Sequence, residues 1–168
     1  MGARVQAAPA HRYGELPVGT RAVILQRLKA EVDELGSFVG TKATRHWVRI
    51  AMDATTRHVI AFHVGDRSGQ SAEALGEQIP AVYQERAPFY TDQYEVDKSV
   101  IPSAQHRAIT KLARKTNHVA RFNCTLRQRV SRLVRATLSF SKKLSNHIGA
   151  SRYFMCDYNL TKGAALPG

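Results

Sequence analysis

The sequence predicts an α/β domain, a mixed sheet flanked by helices, and three observations carry that prediction. Apolar runs of strand length follow one another three times between Val32 and Asp66, with turn residues between them. Further short strand candidates then alternate with segments of helical period. A long segment from Lys115 to Val134 repeats its apolar residues every 3.6 positions.

The elements follow in order. The first 30 residues divide into a Pro- and Gly-containing arm and a short helical candidate, TRAVILQRLKA, with Thr20 as its cap. VDELGSFVG is the first strand, interrupted by Gly36. HWVRIAMD, the polar turn ATTR and HVIAFHVGD make a second strand, a hairpin and a third strand. SAEALGEQIPAVYQE is helical, with Ser71 as cap and Ala72, Leu75, Ile79 and Val82 at helical spacing. PFYTD is a fourth strand ending on Asp92, QYEVDKSVIP a short helical or turn segment, and HRAIT a fifth strand. KTNHVARFNCTLRQRVSRLV is a long helix with Val119, Phe122, Leu126, Val130 and Leu133 on one face. Ala120, Asn123, Cys124, Arg127 and Ser131 share the flank beside that stripe, directed toward the sheet edge. The last segment, SFSKKLSNHIGASRYFMCDYNL, adds a basic cluster and then a helix whose Tyr153, Phe154 and Tyr158 are expected on the core. This order matches the ribonuclease-H-like fold. The expected organisation is an arm and short helix over residues 1–30, the domain over 31–160 and a tail over 161–168.

Composition narrows the function. A hydrophobic fraction of 43% is ordinary for a folded domain. No apolar run approaches the roughly 18 residues of a bilayer span, and no apolar segment follows the early arginines as in a secretory signal. A soluble, cytoplasmic chain is expected, with no membrane partner. Cys124 and Cys156 are the only cysteines, too few for a zinc site, and are expected to be buried or incidental thiols. The net charge of +12 is unevenly placed: residues 1–97 hold 11 basic and 12 acidic side chains, residues 98–168 hold 14 and 1. A mixed-sign surface is the norm, so this asymmetry points to a polyanion, nucleic acid above all. The alternative is a basic solubilising face.

Asp33 and Glu34 in a mostly apolar strand, and Asp92 ending another, are costly unless paired or bound to a cation. Carboxylates converging from distant segments suit Mg²⁺, a hard ion that takes oxygen ligands. The competing reading has Asp33 or Glu34 paired with an arginine and Asp92 capping a turn. Glu34 neighbours Asp33 on the strand, so it should face the other way.

VDELGSFVG, FHVGDRSGQSAEALGEQIPAVY, FYTD and NHVARFNCTLRQRVSRLVRATLSFSKKLSNHIGA resemble the catalytic region of insertion sequence 1 family DDE transposases, over roughly Glu31 to Asn159. The resemblance implies metal-dependent cutting of transposon-end DNA and joining of its 3′ ends to a target. It implies a two-metal Mg²⁺ or Mn²⁺ site, double-stranded DNA as partner, a homodimer or larger assembly, and a nucleoid-associated location. By position, Asp33 and Asp92 look like the first two acids. The family's helix motif reads N-H-I-E-R-F-N, whereas this chain has Ala120 at the acid's place. Family members also tend to carry an aromatic residue where Gly36 stands. Ala120 is either a deliberate replacement, of the kind that traps a DNA complex, or a natural inactivation. The chain is therefore expected to be an impaired enzyme or, alternatively, an inactive DNA-binding or adaptor protein on the same fold. An RNA-associated basic protein is a third reading. Phosphate contacts are expected from Asn117, His118, Arg121, Asn123, Arg127, Arg129, Arg132, Arg135, Lys142 and Lys143.

Overall fold

Alternation along the first strand decides how the domain is layered. The computed structural model describes residues 28–92, 106–109, 117–133 and 140–164. Strand β1 (Ala30–Phe38) turns Glu31, Asp33, Leu35 and Ser37 to one face and Ala30, Val32, Glu34 and Gly36 to the other. It pairs antiparallel with β2 (Arg45–Asp53), which pairs antiparallel with β3 (Val59–Gly65). On its other side β1 lies parallel to β4 (Phe89–Asp92), which lies parallel to β5 (His106–Ile109). The order β3-β2-β1-β4-β5 and these directions make the expected ribonuclease-H-like α/β sheet.

Helices cover both faces. On one, α1 (Gly69–Gln78) and α2 (Ala81–Arg86) bring Leu75, Ile79 and Tyr83 against Ala30, Val32, Ala51, Ala61 and Phe89. On the other, α3 (Asn117–Arg129), a 3₁₀ turn (Ser131–Leu133) and α4 (Leu144–Ala164) pack on Leu35, Val48, Ile50 and Met52. The predicted stripe Val119, Phe122, Leu126, Val130 and Leu133 is buried whole, and each such side chain stabilises the fold by about 1.5–3 kcal/mol.

Local polar contacts set the joints. Buried Asp53 closes the β2–β3 hairpin by accepting the amides of Thr55 at 2.7 Å and Thr56 at 2.6 Å, and the Tyr83 hydroxyl at 2.7 Å. The edge strand β3 is tied to α4 at Val59: its amide donates to Asn159 Oδ1 at 2.9 Å, and Asn159 Nδ2 donates to its carbonyl at 2.8 Å. Gly40, at φ 74, adopts a left-handed backbone that favours glycine, and its amide reaches the Ser141 carbonyl at 2.8 Å.

Several expectations change. The helix expected from Ser71 is two helices, because Pro80 cannot continue the first. Its cap is Ser68, whose hydroxyl oxygen accepts the Ser71 amide, while Ser71 sits in the first turn and donates its own hydroxyl to Asp66 at 2.6 Å. Hydrogen bonds from Ser68 and Ser71 hold the exposed Asp66 carboxyl well below the usual carboxylate range. Tyr153 is 77% exposed, so of the three aromatics only Phe154 and Tyr158 join the core. Cys124 is exposed and Cys156 half-buried, both as free thiols. The helical candidate TRAVILQRLKA (up to Arg27), the segment QYEVDKSVIP and Arg135 lie outside the described residues.

One buried group makes stability depend on pH. His147, fully buried at the start of α4, shares a 2.9 Å hydrogen bond with Ser37 Oγ, and its Nδ1 has no partner among the described residues. Burial, with nearby His46, pushes its pKa from 6.5 down to about 4. The unfolded chain therefore takes up this proton first. The contribution is complete above about pH 6.5 and is lost as the pH falls toward 4, by about 3 kcal/mol. Urea unfolding at pH 7.5 and pH 4.5 should show a lower midpoint at the acid pH, and a His147→Gln variant should flatten the difference.

Candidate active site

Two carboxylates from one strand organise the face under α3. Glu31 and Asp33 are both on that face because they are two residues apart. Glu31 is 2% exposed, and its Oε2 accepts the amides of His118 and Val119, each at 2.9 Å. These are first-turn N–H groups with no partner inside the helix, and the positive end of the helix dipole favours a carboxylate there. Glu31 thus pins α3 to β1. Further along, Asp33 Oδ2 accepts Asn123 Nδ2 at 2.9 Å and its Oδ1 accepts the Glu34 amide at 2.8 Å.

These two anchor points locate the other positions. Ala120 lies between them, one turn before Asn123, where Cβ atoms are neighbours at about 5–6 Å. It is exposed, and it stands on the flank that carries Asn123 and Arg127. Pairing of Val32 with Thr91 puts Asp92 one register step on, beside Asp33 at the spacing of adjacent strands, about 4.8 Å. Asn123 Oδ1 is buried and has no hydrogen-bond partner among the described residues. Among the described residues no three His, Cys, Asp or Glu side chains form a metal-binding group. Asp33 and the Asn123 carbonyl are the oxygen donors that the described side chains bring together here, and the side chain of Asp92 lies outside the described ones.

Glu34 faces away, as its place in the strand requires. It is bound by Arg67, and Arg49 Nη2 lies 3.9 Å from its Oε2. The Arg67 guanidinium also stacks 3.8 Å over the Trp47 ring. Gly36 belongs to the same assembly: a Cβ there would stand 3.0 Å from the Trp47 ring, so the indole occupies the space a side chain at 36 would need. The surroundings of Asp33 are on the opposite face and are untouched by this departure.

The expected phosphate-binding residues divide into groups. Asn123 is 6% exposed and committed to Asp33. His118, Arg121 and Arg129 lie roughly 120–160° around α3 from Asn123, against β2 and α4. Arg127 shares the flank of Ala120 and is exposed. Asn117, Arg132, Lys142 and Lys143 are also exposed, the two lysines beside Gly40 at the far end of β1, roughly 20 Å from Asp33. Glu31 and Asn123 as partners of the carboxylate region are what sequence reasoning missed. The only signal for Glu31 was its two-residue spacing from Asp33.

The family profile for IS1 transposase matches residues 26–155. The insertion element IS1 protein InsB of Shigella flexneri is 35% identical over 118 residues, covering 70% of this chain and 86% of that protein. The insertion element iso-IS1n protein InsB of Shigella dysenteriae is 32% identical over 125 residues, 71% of this chain and 88% of that one. The insertion element IS1 4 protein InsB of Escherichia coli strain K12 is 32% identical over 123 residues, 70% of this chain and 68% of its own length.

Proposed function

This chain belongs to the IS1 transposase family, and on that premise we propose that it binds DNA along the Ala120 flank of α3, over a strand-cutting centre that lacks its third carboxylate. Transposases act on DNA, and no described helix is long and apolar enough to cross a membrane. The observation that supports the reading is the Asn123–Asp33 hydrogen bond, because Ala120 stands one helical turn before Asn123 on the same flank.

The roles follow from the contacts. Asn123 and the Glu34 amide hold Asp33 in one orientation, and Glu31 fixes the height of α3 over the strand. Arg127, one turn beyond Asn123 on the same flank, offers a guanidinium to a backbone phosphate, with Arg132, Lys142 and Lys143 extending the contact along the domain. A divalent cation held by Asp33 and Asp92, with the Asn123 carbonyl beside them, would supply Lewis-acid polarisation of the phosphoryl oxygen and a more acidic attacking water. Ala120 contributes only a methyl group, so a second ion has no third carboxylate to hold it. This same position favours a second reading, a DNA-binding protein without chemistry.

Cleavage and strand transfer on end DNA, run with Mg²⁺ for this chain and for Ala120→Glu, separates the two. Cutting by the variant supports the enzyme reading; binding without cutting by both supports the second. Under either, affinity for duplex DNA is expected to fall by about two orders of magnitude between 50 and 200 mM salt, as four or so phosphate contacts require. A titration without that salt dependence would remove DNA binding from both readings.

A further inference from the structure

The other flank of α3 carries a second concentration of positive charge. Between α3, α4 and the β2–β3 hairpin lies a cleft of about 330 Å³. Arg57, Arg121, Arg129 and Lys162 line it, with Asp157 the lone carboxylate among its lining residues. Among the described residues none of these four cations forms an ion pair. Its floor is aromatic: Tyr158 meets Phe122 edge-on with centroids 4.7 Å apart and stacks with Phe154 at 6.5 Å, and Lys162 Nζ lies 5.6 Å from the Tyr158 ring.

Arg57 is an independent sign that the cleft is built for a ligand. It holds φ 62 in the hairpin turn, a left-handed conformation that costs a side-chain-bearing residue and that glycine or asparagine adopts more cheaply. An arginine there brings a guanidinium to the cleft at the expense of the turn.

We propose that this cleft is a second nucleic-acid site that seats one unpaired nucleotide of a DNA strand, with its base on the Phe154–Tyr158 floor and its phosphate among Arg57, Arg121, Arg129 and Lys162. The size is at the low end of small-ligand sites, about 300–1,000 Å³, which suits one nucleotide and excludes a duplex. Cations that track the backbone together with an aromatic platform for the base are the chemistry by which unpaired strands are held. Helix α3 stands between this cleft and Asp33, so a strand end leaving the carboxylates has a separate place to dock. The proposal rests on the reading of the protein as a DNA binder.

The test uses fluorescence anisotropy of the full chain with three DNAs: a blunt duplex, the same duplex with a short unpaired extension, and one whose extension is abasic. The extension is expected to tighten binding about tenfold, and the abasic form to lose most of that gain. Arg57→Gly, which suits the left-handed turn, and Lys162→Glu should each erase the gain while leaving blunt-duplex binding within about threefold. Arg127→Ala should weaken all three DNAs alike. Equal binding of blunt and extended DNA overturns the proposal, as does an abasic extension that binds as well as the intact one, which would mark a phosphate site without base recognition. Failure of every DNA to bind is a different result, and it overturns the DNA-binding reading itself.

Discussion

Ala120→Glu is expected to raise Mg²⁺-dependent strand cleavage by about three orders of magnitude, equivalent to about 4 kcal/mol of barrier. The side chain starts one turn before Asn123, whose amide already touches Asp33, so a carboxylate there enters the region around Asp33. Little stability should change. Position 120 is exposed, and an acid near the start of a helix is mildly favourable. Charge, not bulk, is the active ingredient, so Ala120→Gln should stay at the level of the parent chain. Asp33→Asn in the Ala120→Glu background should return the rate to background. Isothermal titration should show tighter Mg²⁺ binding for the glutamate variant alone. Equal rates for the chain and its Ala120→Glu form would mean that position 120 does not limit cleavage.

Glu31→Ala is expected to destabilise the domain by about 3 kcal/mol, the largest stability effect of any polar substitution at the site. It strips the partner from two amides in the first turn of α3, and unsatisfied buried donors cost about 1–3 kcal/mol each. Glu31→Gln keeps an acceptor oxygen while losing the charge that faces the helix dipole, so its cost should be nearer 1 kcal/mol. Urea midpoints measure both, with slopes unchanged if only stability moves. A Glu31→Ala midpoint equal to the parent's would show that the apolar stripe alone seats the helix. In the Ala120→Glu background, Glu31→Ala should also reduce cleavage, because the height of α3 over β1 sets where residue 120 meets Asp33.

Much of this protein was legible in one dimension. Apolar runs between turn residues marked β1 to β3, the 3.6-residue stripe marked α3, and the strongly basic second half pointed to a polyanion, because each of these signals is local to the chain. Glu34 was assigned to the wrong face for catalysis by strand geometry alone, and its partners Arg67 and Arg49 are on that face. Ala120 was visible as a departure from the family's motif. The tertiary structure decided what depends on residues far apart in sequence. Glu31 reaches His118 and Val119 across more than 80 residues, and Asn123 reaches Asp33 across 90, contacts that no periodicity encodes. The basic residues show both levels: helical period already set Arg127 on the flank of Ala120, whereas only the packing of α4 and the β2–β3 hairpin encloses Arg121 and Arg129 in a cleft. A helix presents charges in all directions, and only the sheet beneath it and the helix beside it decide which of them share a site.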